Sequence, residues 1–275
     1  LKRVRILRCP TCWWVMSYAP RLALSMLLTG VAASCGAAET SVQLHGFSDV
    51  VHRGASSTDG RGAIGATVTV DAASGLFAGL STHYGQGTPN GRHLLRYAGL
   101  HAGWFKPLAG GRAIEFSLSR HVFGDVANWR YDELRVDYHF SEQFTLTAAV
   151  SDDYYGRGSE VVLSEVTWQR ELGGGVFTRI VAGGGWLPDA DDRSISWGTL
   201  GVGVARGRIS TELSFNATAA DLIPAPGADG SALALRVSYL LRSVPAPVTH
   251  TPHGAAALHP PTATHRPRVP PPTTP

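Results

Sequence analysis

The sequence predicts an all-β protein, a transmembrane antiparallel up-and-down β-barrel of about twelve strands. Apolar and polar residues alternate through most of the chain, which is the period-two pattern of a strand with two different faces. The alternating segments run for about ten residues, a length that suits a tilted strand crossing a hydrocarbon layer, whereas strands of soluble proteins are more often about five or six. Short and longer links alternate between the segments, as in barrels whose two termini both lie in the periplasm.

The stretch Val42–Tyr84 contains the unit that the rest of the chain repeats. Apolar and polar residues alternate from Ile64 to Asp71, a short turn follows, and the alternation restarts at Leu76. This is the pattern of a hairpin, and an earlier strand precedes it across a longer polar link.

The same reasoning divides the chain into consecutive strands. In order they are Ser41–His52, Gly62–Asp71, Leu76–Tyr84, His93–Trp104, Ala113–Val122, Tyr131–Phe140, Phe144–Asp153, Ser159–Leu172, Val176–Trp186, Ser194–Ala205, Arg208–Ala217 and Ser231–Leu241. Links after the even-numbered strands are short, and those after the odd-numbered strands are mostly longer, polar and rich in Gly, Asp and Pro. A soluble sandwich has no reason to keep this alternation of link lengths.

Four strands separate their two faces clearly, and the fourth, ninth and tenth strands are ambiguous. The apolar residues, which we expect to face lipid, are Leu134, Val136, Tyr138 and Phe140; Phe144, Leu146, Ala148 and Val150; Ile209, Leu213 and Phe215; and Leu233, Leu235, Val237 and Tyr239. A water-soluble barrel would carry the same alternation inverted, so strand length, link length and aromatic placement decide for the membrane. Aromatic residues gather at strand ends, as in an interfacial girdle: Tyr84, Trp104, Trp129, Tyr131, Phe140, Phe144, Tyr154, Tyr155 and Trp186.

The two ends of the chain differ in composition from its middle. Residues 1–38 are typical of a secretory signal, because an apolar run, Leu22–Ala33, follows Arg21 and small residues precede Glu39; if Met16 is the true start, residues 1–15 are not translated. All three cysteines (Cys9, Cys12 and Cys35) fall in this leader. The predicted barrel covers residues 39–242, and residues 243–275, with 10 of the 17 prolines, are expected to form a disordered Pro/His-rich tail.

The charge distribution argues against a nucleic-acid partner. Five basic residues precede Glu39, whereas Glu39 is the first of the 21 acidic residues of the chain. The predicted barrel is therefore mildly acidic, and no basic patch indicates binding to nucleic acid.

Three segments, taken in order, resemble the TorF-type porins, a family of short exported β-barrel proteins. They are Ser48-Asp49-x-x-x-Arg53-Gly54-x-Ser56-x-Thr58-Asp59, Ser74-Gly75-Leu76-Phe77-Ala78-Gly79 and Ser151-Asp152-Asp153-Tyr154-Tyr155-Gly156, and Tyr97-Ala98-Gly99 also fits. The similarity runs from about Val42 to Leu241, although Ser57 stands where the family usually has glutamine and the proline-rich tail has no counterpart. The resemblance implies an outer-membrane channel-like barrel and names no solute.

Charged side chains on the predicted inner faces are the candidate pore lining. They are Arg96, Glu115, Glu133, Arg135, Asp137, Glu165, Arg179, Glu212 and Arg236. Such residues tune the ion preference of a pore, but opposite charges on neighbouring strands would instead pair and plug a narrow barrel. A second cluster, Asp49, Arg53 and Asp59, marks either the mouth of a channel or a loop-anchoring salt bridge.

The sequence indicates a passive diffusion channel for small hydrophilic solutes or ions, with no catalytic residue, metal or cofactor. Its expected partners are outer-membrane lipid, the solutes and, during biogenesis, the barrel-assembly machinery. Two alternatives remain: a plugged structural barrel without transport, and an outer-membrane lipid hydrolase using Ser119 and His121. The acidic link with Asp189, Asp191 and Asp192 lacks the spacing of a calcium loop.

Overall fold

The computed structural model describes residues 38–87, 93–123, 130–156, 158–187, 193–219 and 230–244. Almost all of the predicted leader and tail lies outside these residues, as do Trp129 and the acidic link with Asp189, Asp191 and Asp192. None of the helices among the described residues is long and apolar enough to span a membrane.

The described chain is built almost entirely of strands. They are β1 (Ala38–Phe47), β2 (Val51–His52), β3 (Ala55–Ser56), β4 (Ala63–Ala72), β5 (Leu76–Gly87), β6 (His93–Pro107), β7 (Ala113–Phe123), β8 (Arg130–His139), β9 (Phe144–Ser151), β10 (Val161–Gly173), β11 (Val176–Leu187), β12 (Arg193–Arg206), β13 (Ile209–Ala219) and β14 (Gly230–Val244). A single 3-10 turn, Tyr154–Gly156, follows β9.

Twelve of these strands form a closed antiparallel barrel. Each pairs with its neighbour along the chain, and β1 closes the wall by pairing with both β14 and β4. Closure leaves no strand edge whose backbone groups lack partners, which is the condition for crossing a lipid bilayer with strands. The predicted barrel of about twelve strands is thereby confirmed.

The two faces of the wall are opposite in polarity. On β8, Leu134 is 52% exposed on the outer face, while the adjacent Glu133 is 4% exposed and points inward. The same arrangement recurs around the barrel, and the outer face exposes large apolar residues that include Leu44, Ile64, Leu80, Leu146, Val162, Ile180, Leu200, Leu213, Phe215 and Leu233. The face assignments made for β8, β9, β13 and β14 are confirmed.

The strands whose faces were ambiguous in sequence carry glycines on their inner faces. An added Cβ at Gly183 would overlap the indole of Trp197, and one at Gly99 would overlap the ring of Tyr97. In both cases an inward-facing aromatic ring fills the space that the glycine leaves free. Because these inner faces carry glycines and aromatic rings instead of polar residues, hydropathy does not show which face of the strand points inward.

Two expectations about aromatic residues and strand ends are corrected. The first strand was expected to run to His52, but β1 ends at Phe47 and the chain then leaves the barrel wall. Tyr131, Tyr154 and Tyr155 were expected in a lipid-facing girdle and are instead buried inside the barrel. Other girdle residues fit the expectation, since these are exposed at strand ends: Tyr84, Phe140 and Trp186.

Candidate functional site in the barrel lumen

The lumen is lined by charged side chains that are bound to one another across strands. Glu212 on β13 accepts hydrogen bonds from Arg179 on β11 (Nη2 to Oε1, 2.7 Å) and from Arg236 on β14 (Nη2 to Oε2, 2.6 Å). One carboxylate thus joins three strands of the wall. Because all three side chains are largely buried, these charge-assisted bonds are screened little by solvent.

A second charged group lies on β8 and β9. Arg135 donates from Nε to Oδ2 of Asp137 at 2.7 Å and from Nη2 to Oγ1 of Thr147 at 3.1 Å. Thr147 in turn donates to Asp137, which has no exposed surface. Burial of this pair is compensated because each charged group has more than one partner.

Two of the candidate pore-lining carboxylates, Glu165 and Glu115, have partners other than arginine among the described residues. Glu165 accepts a hydrogen bond from the indole nitrogen of Trp197 at 3.0 Å. Oε2 of Glu115 lies 3.9 Å from Nε2 of His139. Arg96 belongs to β6, but its side chain lies outside the described residues.

The first external link enters the lumen as a small hairpin. β2 and β3 pair through Val51 with Ser56 and through His52 with Ala55, and we call Val51–Ser56 the inward hairpin. Its turn is Arg53-Gly54, with φ values of 49° and 78°. Two consecutive positive φ values define the type I′ turn that suits a two-residue hairpin.

Arg53 at the tip of the inward hairpin crosses the lumen. Its Nη2 donates to Oε2 of Glu133 on β8 at 2.6 Å, while β3 contacts the wall at β13 and β14. β8 and β13 are five places apart in a ring of twelve strands, so the hairpin spans nearly opposite walls. The guanidinium also lies 5.8 Å from the ring centres of Tyr154 and Trp197, within the range of a cation–π contact.

The base of the inward hairpin is fixed by a buried carboxylate. Asp49 accepts hydrogen bonds through Oδ1 from Ser56 (2.6 Å) and Thr58 (2.7 Å), and Thr58 also accepts one from the backbone of Val50. Asp49, Arg53 and Asp59 therefore do not form one cluster: Asp49 orders the loop, Arg53 binds the barrel wall, and Asp59 is exposed.

A second external link meets the first above the lumen. The hydroxyl of Tyr154 accepts a hydrogen bond from Arg53 at 3.4 Å, and the rings of Tyr154 and Tyr155 pack on Tyr131, each with centroids 5.1 Å apart. Tyr155, like Arg53, has a positive φ, 56°. Non-glycine residues in this region are strained and persist only where surrounding contacts hold them.

Burial controls the ionisation of the inward hairpin. The pKa of His52 is lowered well below its usual value by burial first and then by Arg53 and His121, so its imidazole is neutral. Burial alone would lower the pKa of Arg53, but Glu133 and Tyr154 raise it above its usual value. The guanidinium at the tip is therefore a permanent charge facing a carboxylate.

A cavity of about 150 Å³ lies against the inward hairpin. The hairpin forms one side with His52, Arg53 and Gly54, and the wall supplies most of the candidate pore-lining charges: Glu115, Glu133, Arg135, Glu165 and Arg179. The lumen therefore combines charged side chains with a buried apolar and aromatic cluster, and its own first loop narrows it.

The residues of the hydrolase alternative lie in this lumen. Ser119 and His121 both line the cavity, and Nδ1 of His121 is 2.8 Å from the hydroxyl of Tyr97 while its ring stacks on Tyr131. The imidazole is held by aromatic neighbours rather than by an acid that would orient it as a base. Within the described ranges, no group of three or more His, Cys, Asp or Glu side chains is arranged to hold a metal ion.

Sequence reasoning found the charges of the lumen but missed the residues that organise them. Trp197 and Tyr154 both contact Arg53, and neither was a candidate. The available signal was the glycine at position 54, because a two-residue hairpin turn of this type needs a positive φ there.

Comparison with known proteins gives a likeness of fold. No family model matches the chain, and no curated protein matches its sequence. The solved NanC porin superposes with a TM-score of 0.50 at 6% identity, covering 73% of this chain and 99% of that one. The KdgM porin gives 0.47 at 8% (73% and 98% covered), and the COG4313 outer membrane channel from Pseudomonas putida F1 gives 0.45 at 9% (76% and 96% covered).

The closed wall, apolar exterior and polar lumen define a transmembrane β-barrel of the outer-membrane type. A soluble barrel would place its apolar faces inside, whereas here they are outside. The fold is that of the NanC porin. The predicted location in the outer membrane of a Gram-negative cell is confirmed.

Proposed function

We propose that this protein is a passive channel of the outer membrane for small hydrophilic solutes or ions. The observation that carries the proposal is the ring of buried charges inside a wall whose outer face is apolar. Charged side chains in a membrane-spanning structure are costly, and they mark ion or solute pathways. A polar lining lowers the free-energy cost that hydrocarbon imposes on a solute, so transport requires no cofactor.

The candidate pore-lining residues take part in this proposal as a mixed-charge lining. Arginines bound to carboxylates leave little net charge along the lumen, so we expect weak ion selectivity. The resemblance to the TorF-type porins agrees with this function, and membership of that family is part of the proposal. Folding into the membrane would depend on the barrel-assembly machinery, as proposed for its biogenesis.

A plugged structural barrel is the second candidate, and one observation favours it. The inward hairpin, packed on one side of the lumen, reaches the nearly opposite wall through the bond of Arg53 to Glu133. In this reading the bridge between Arg53 and Glu133 blocks the lumen, the other ion pairs stabilise the wall, and nothing passes.

Planar-bilayer recording separates the two candidates. The full protein, shown to be folded by its heat-modifiable migration on gels, is inserted at low density in symmetric KCl. A channel gives discrete current steps whose size scales with salt concentration. A well-inserted barrel that stays silent, both as the natural chain and with the inward hairpin replaced by two glycines, would establish the structural role instead.

A further inference from the structure

We propose that the inward hairpin is a removable plug, latched across the lumen by Arg53, and that the channel is closed while the latch is engaged. This inference rests on the proposed channel function and assigns its regulation to the first external link. Three independent features of the described residues carry it: the route of the hairpin, the choice of residue at its tip, and its attachment to a second link.

The route of the hairpin places it in the path that a solute would take. The chain leaves the wall after Phe47, enters the lumen at Val51–Ser56, and returns to the wall at Ala63. Gly54 lies so close to Trp197 and the backbone carbonyl of Ala217 that an added Cβ would overlap both. The turn of the hairpin therefore packs on the barrel wall through Gly54, while Arg53 in the same turn reaches Glu133.

The residue at the tip is unfavourable for the turn and favourable for the bridge. Type I′ turns prefer asparagine, aspartate or glycine at the first central position, because that position needs a positive φ. Arginine there costs local free energy, yet its guanidinium reaches a carboxylate at 2.6 Å and lies over two aromatic rings. Local strain that the surroundings must hold in place is a feature of switch regions.

The inward hairpin is attached to the barrel by side chains and packing rather than by strand pairing. No backbone ladder joins the inward hairpin to the twelve wall strands, since β2 and β3 pair only with each other in the sheet topology of the described residues. It is held instead by side-chain bonds and packing: Arg53 bonds to Glu133 and Tyr154 and contacts two rings, His52 bonds to Tyr131, Gly54 lies against Trp197 and Ala217, and Ala55 belongs to the buried apolar cluster. An element held by side chains at one end and ordered by Asp49 at the other can leave the lumen without breaking the wall.

Charge exchange between Arg53 and Glu133 tests the latch. Arg53→Glu and Glu133→Arg each place like charges together at the tip, and the double variant restores an opposite pair. We expect each single variant to raise the fraction of time that the channel is open by about tenfold or more, which equals about 1.4 kcal/mol, and the double variant to return it towards the natural value. Arg53→Asn removes the charge and suits the turn better, so it should open the channel while keeping the barrel folded.

The control is an ion pair that includes the residue next to Glu133 on β8. Arg120 and Asp132, 3.4 Å apart on β7 and β8, lie on the opposite face of the wall from Glu133, so Arg120→Glu should leave the open fraction unchanged. A natural channel that conducts steadily and ignores all Arg53 and Glu133 variants would overturn the plug and leave the channel function intact. Silence of every variant, including the chain with two glycines in place of the hairpin, would overturn the channel function itself.

Discussion

Gly183 on β11 is the residue on which the indole of Trp197 rests. The same relation, a glycine under an inward ring on a neighbouring strand, occurs with His101 over Gly79, Phe77 over Gly103 and Phe177 over Gly203. Glycines on one strand thus leave room for large side chains on the neighbouring strand. At Trp197 this packing also positions the donor of the bond to Glu165 and the ring that lies beneath Arg53.

Substitution Gly183→Ala should destabilise the barrel. The new methyl group would overlap the indole of Trp197, and inserting atoms into a packed interior costs about 1–3 kcal/mol. We expect a lower free energy of unfolding in urea in lipid vesicles, together with a change in the fluorescence of the buried tryptophan. Gly198→Ala is the control, because the nearest atom to its added Cβ, the carbonyl oxygen of Val181, is 3.7 Å away. Equal effects of the two substitutions would contradict a specific contact with Trp197.

The residues of the lumen were predictable in position but not in partnership. Period-two alternation placed Glu133, Arg135 and Asp137 on one inner face, since adjacent residues on a strand point to opposite sides. The bond between Glu133 and Arg53 joins residues 80 positions apart through space, and no local pattern encodes it. The inner faces of β11 and β12 could not be recognised in this way, because they carry glycines, whose hydropathy is typical of neither the polar nor the apolar face.

Among the elements, the first external link departs most from its sequence pattern. The predicted first strand runs to His52, but the wall strand stops at Phe47. Asp49 explains the change of direction, because its buried carboxylate is satisfied by Ser56 and Thr58 of the same link, which folds the chain back on itself. Such a polar turn within a link is the usual way in which buried backbone is ordered outside regular strands.

Asp49→Ala should release the inward hairpin. The substitution leaves the hydroxyls of Ser56 and Thr58 without their buried acceptor, which costs about 1–3 kcal/mol. The side chain of Arg53 is only 8% exposed in the natural protein. In the variant it would become accessible to trypsin from outside the membrane. We expect cleavage after Arg53 to be faster by about tenfold, as measured by mass spectrometry of timed digests of proteoliposomes.

Asp59→Asn provides the comparison for this experiment. Asp59 lies in the same link and is exposed, and asparagine tolerates its positive φ of 54°. Its digestion should match that of the natural protein. If Arg53 is cut at the same rate in all three proteins, Asp49 does not hold the hairpin in the lumen.

At the scale of the whole molecule, the fold follows from keeping two unlike surfaces apart. Every wall strand gives one face to lipid and one to the lumen, and closure through β1 and β14 satisfies the backbone that a bilayer cannot hydrate. Strand number, antiparallel order and the polarity of most faces follow from periodicity and link length. The contents of the lumen do not, because they depend on side chains from different strands and links meeting across the barrel.

The outer surface provides the last prediction, which concerns the membrane itself. Leu200 lies in the middle of β12 and is 56% exposed, so lipid is its expected neighbour. Leu200→Arg should lower the free energy of unfolding in vesicles by about 2–4 kcal/mol, the cost of a cation near the bilayer midplane on a lipid-facing strand. Leu108→Arg makes the same change in the link 108–112, beyond the hydrocarbon, and should cost little. Equal losses of stability in the two variants would contradict contact between this apolar exterior and lipid. Only a hydrocarbon environment at Leu200 would make arginine several kcal/mol more costly there than at Leu108.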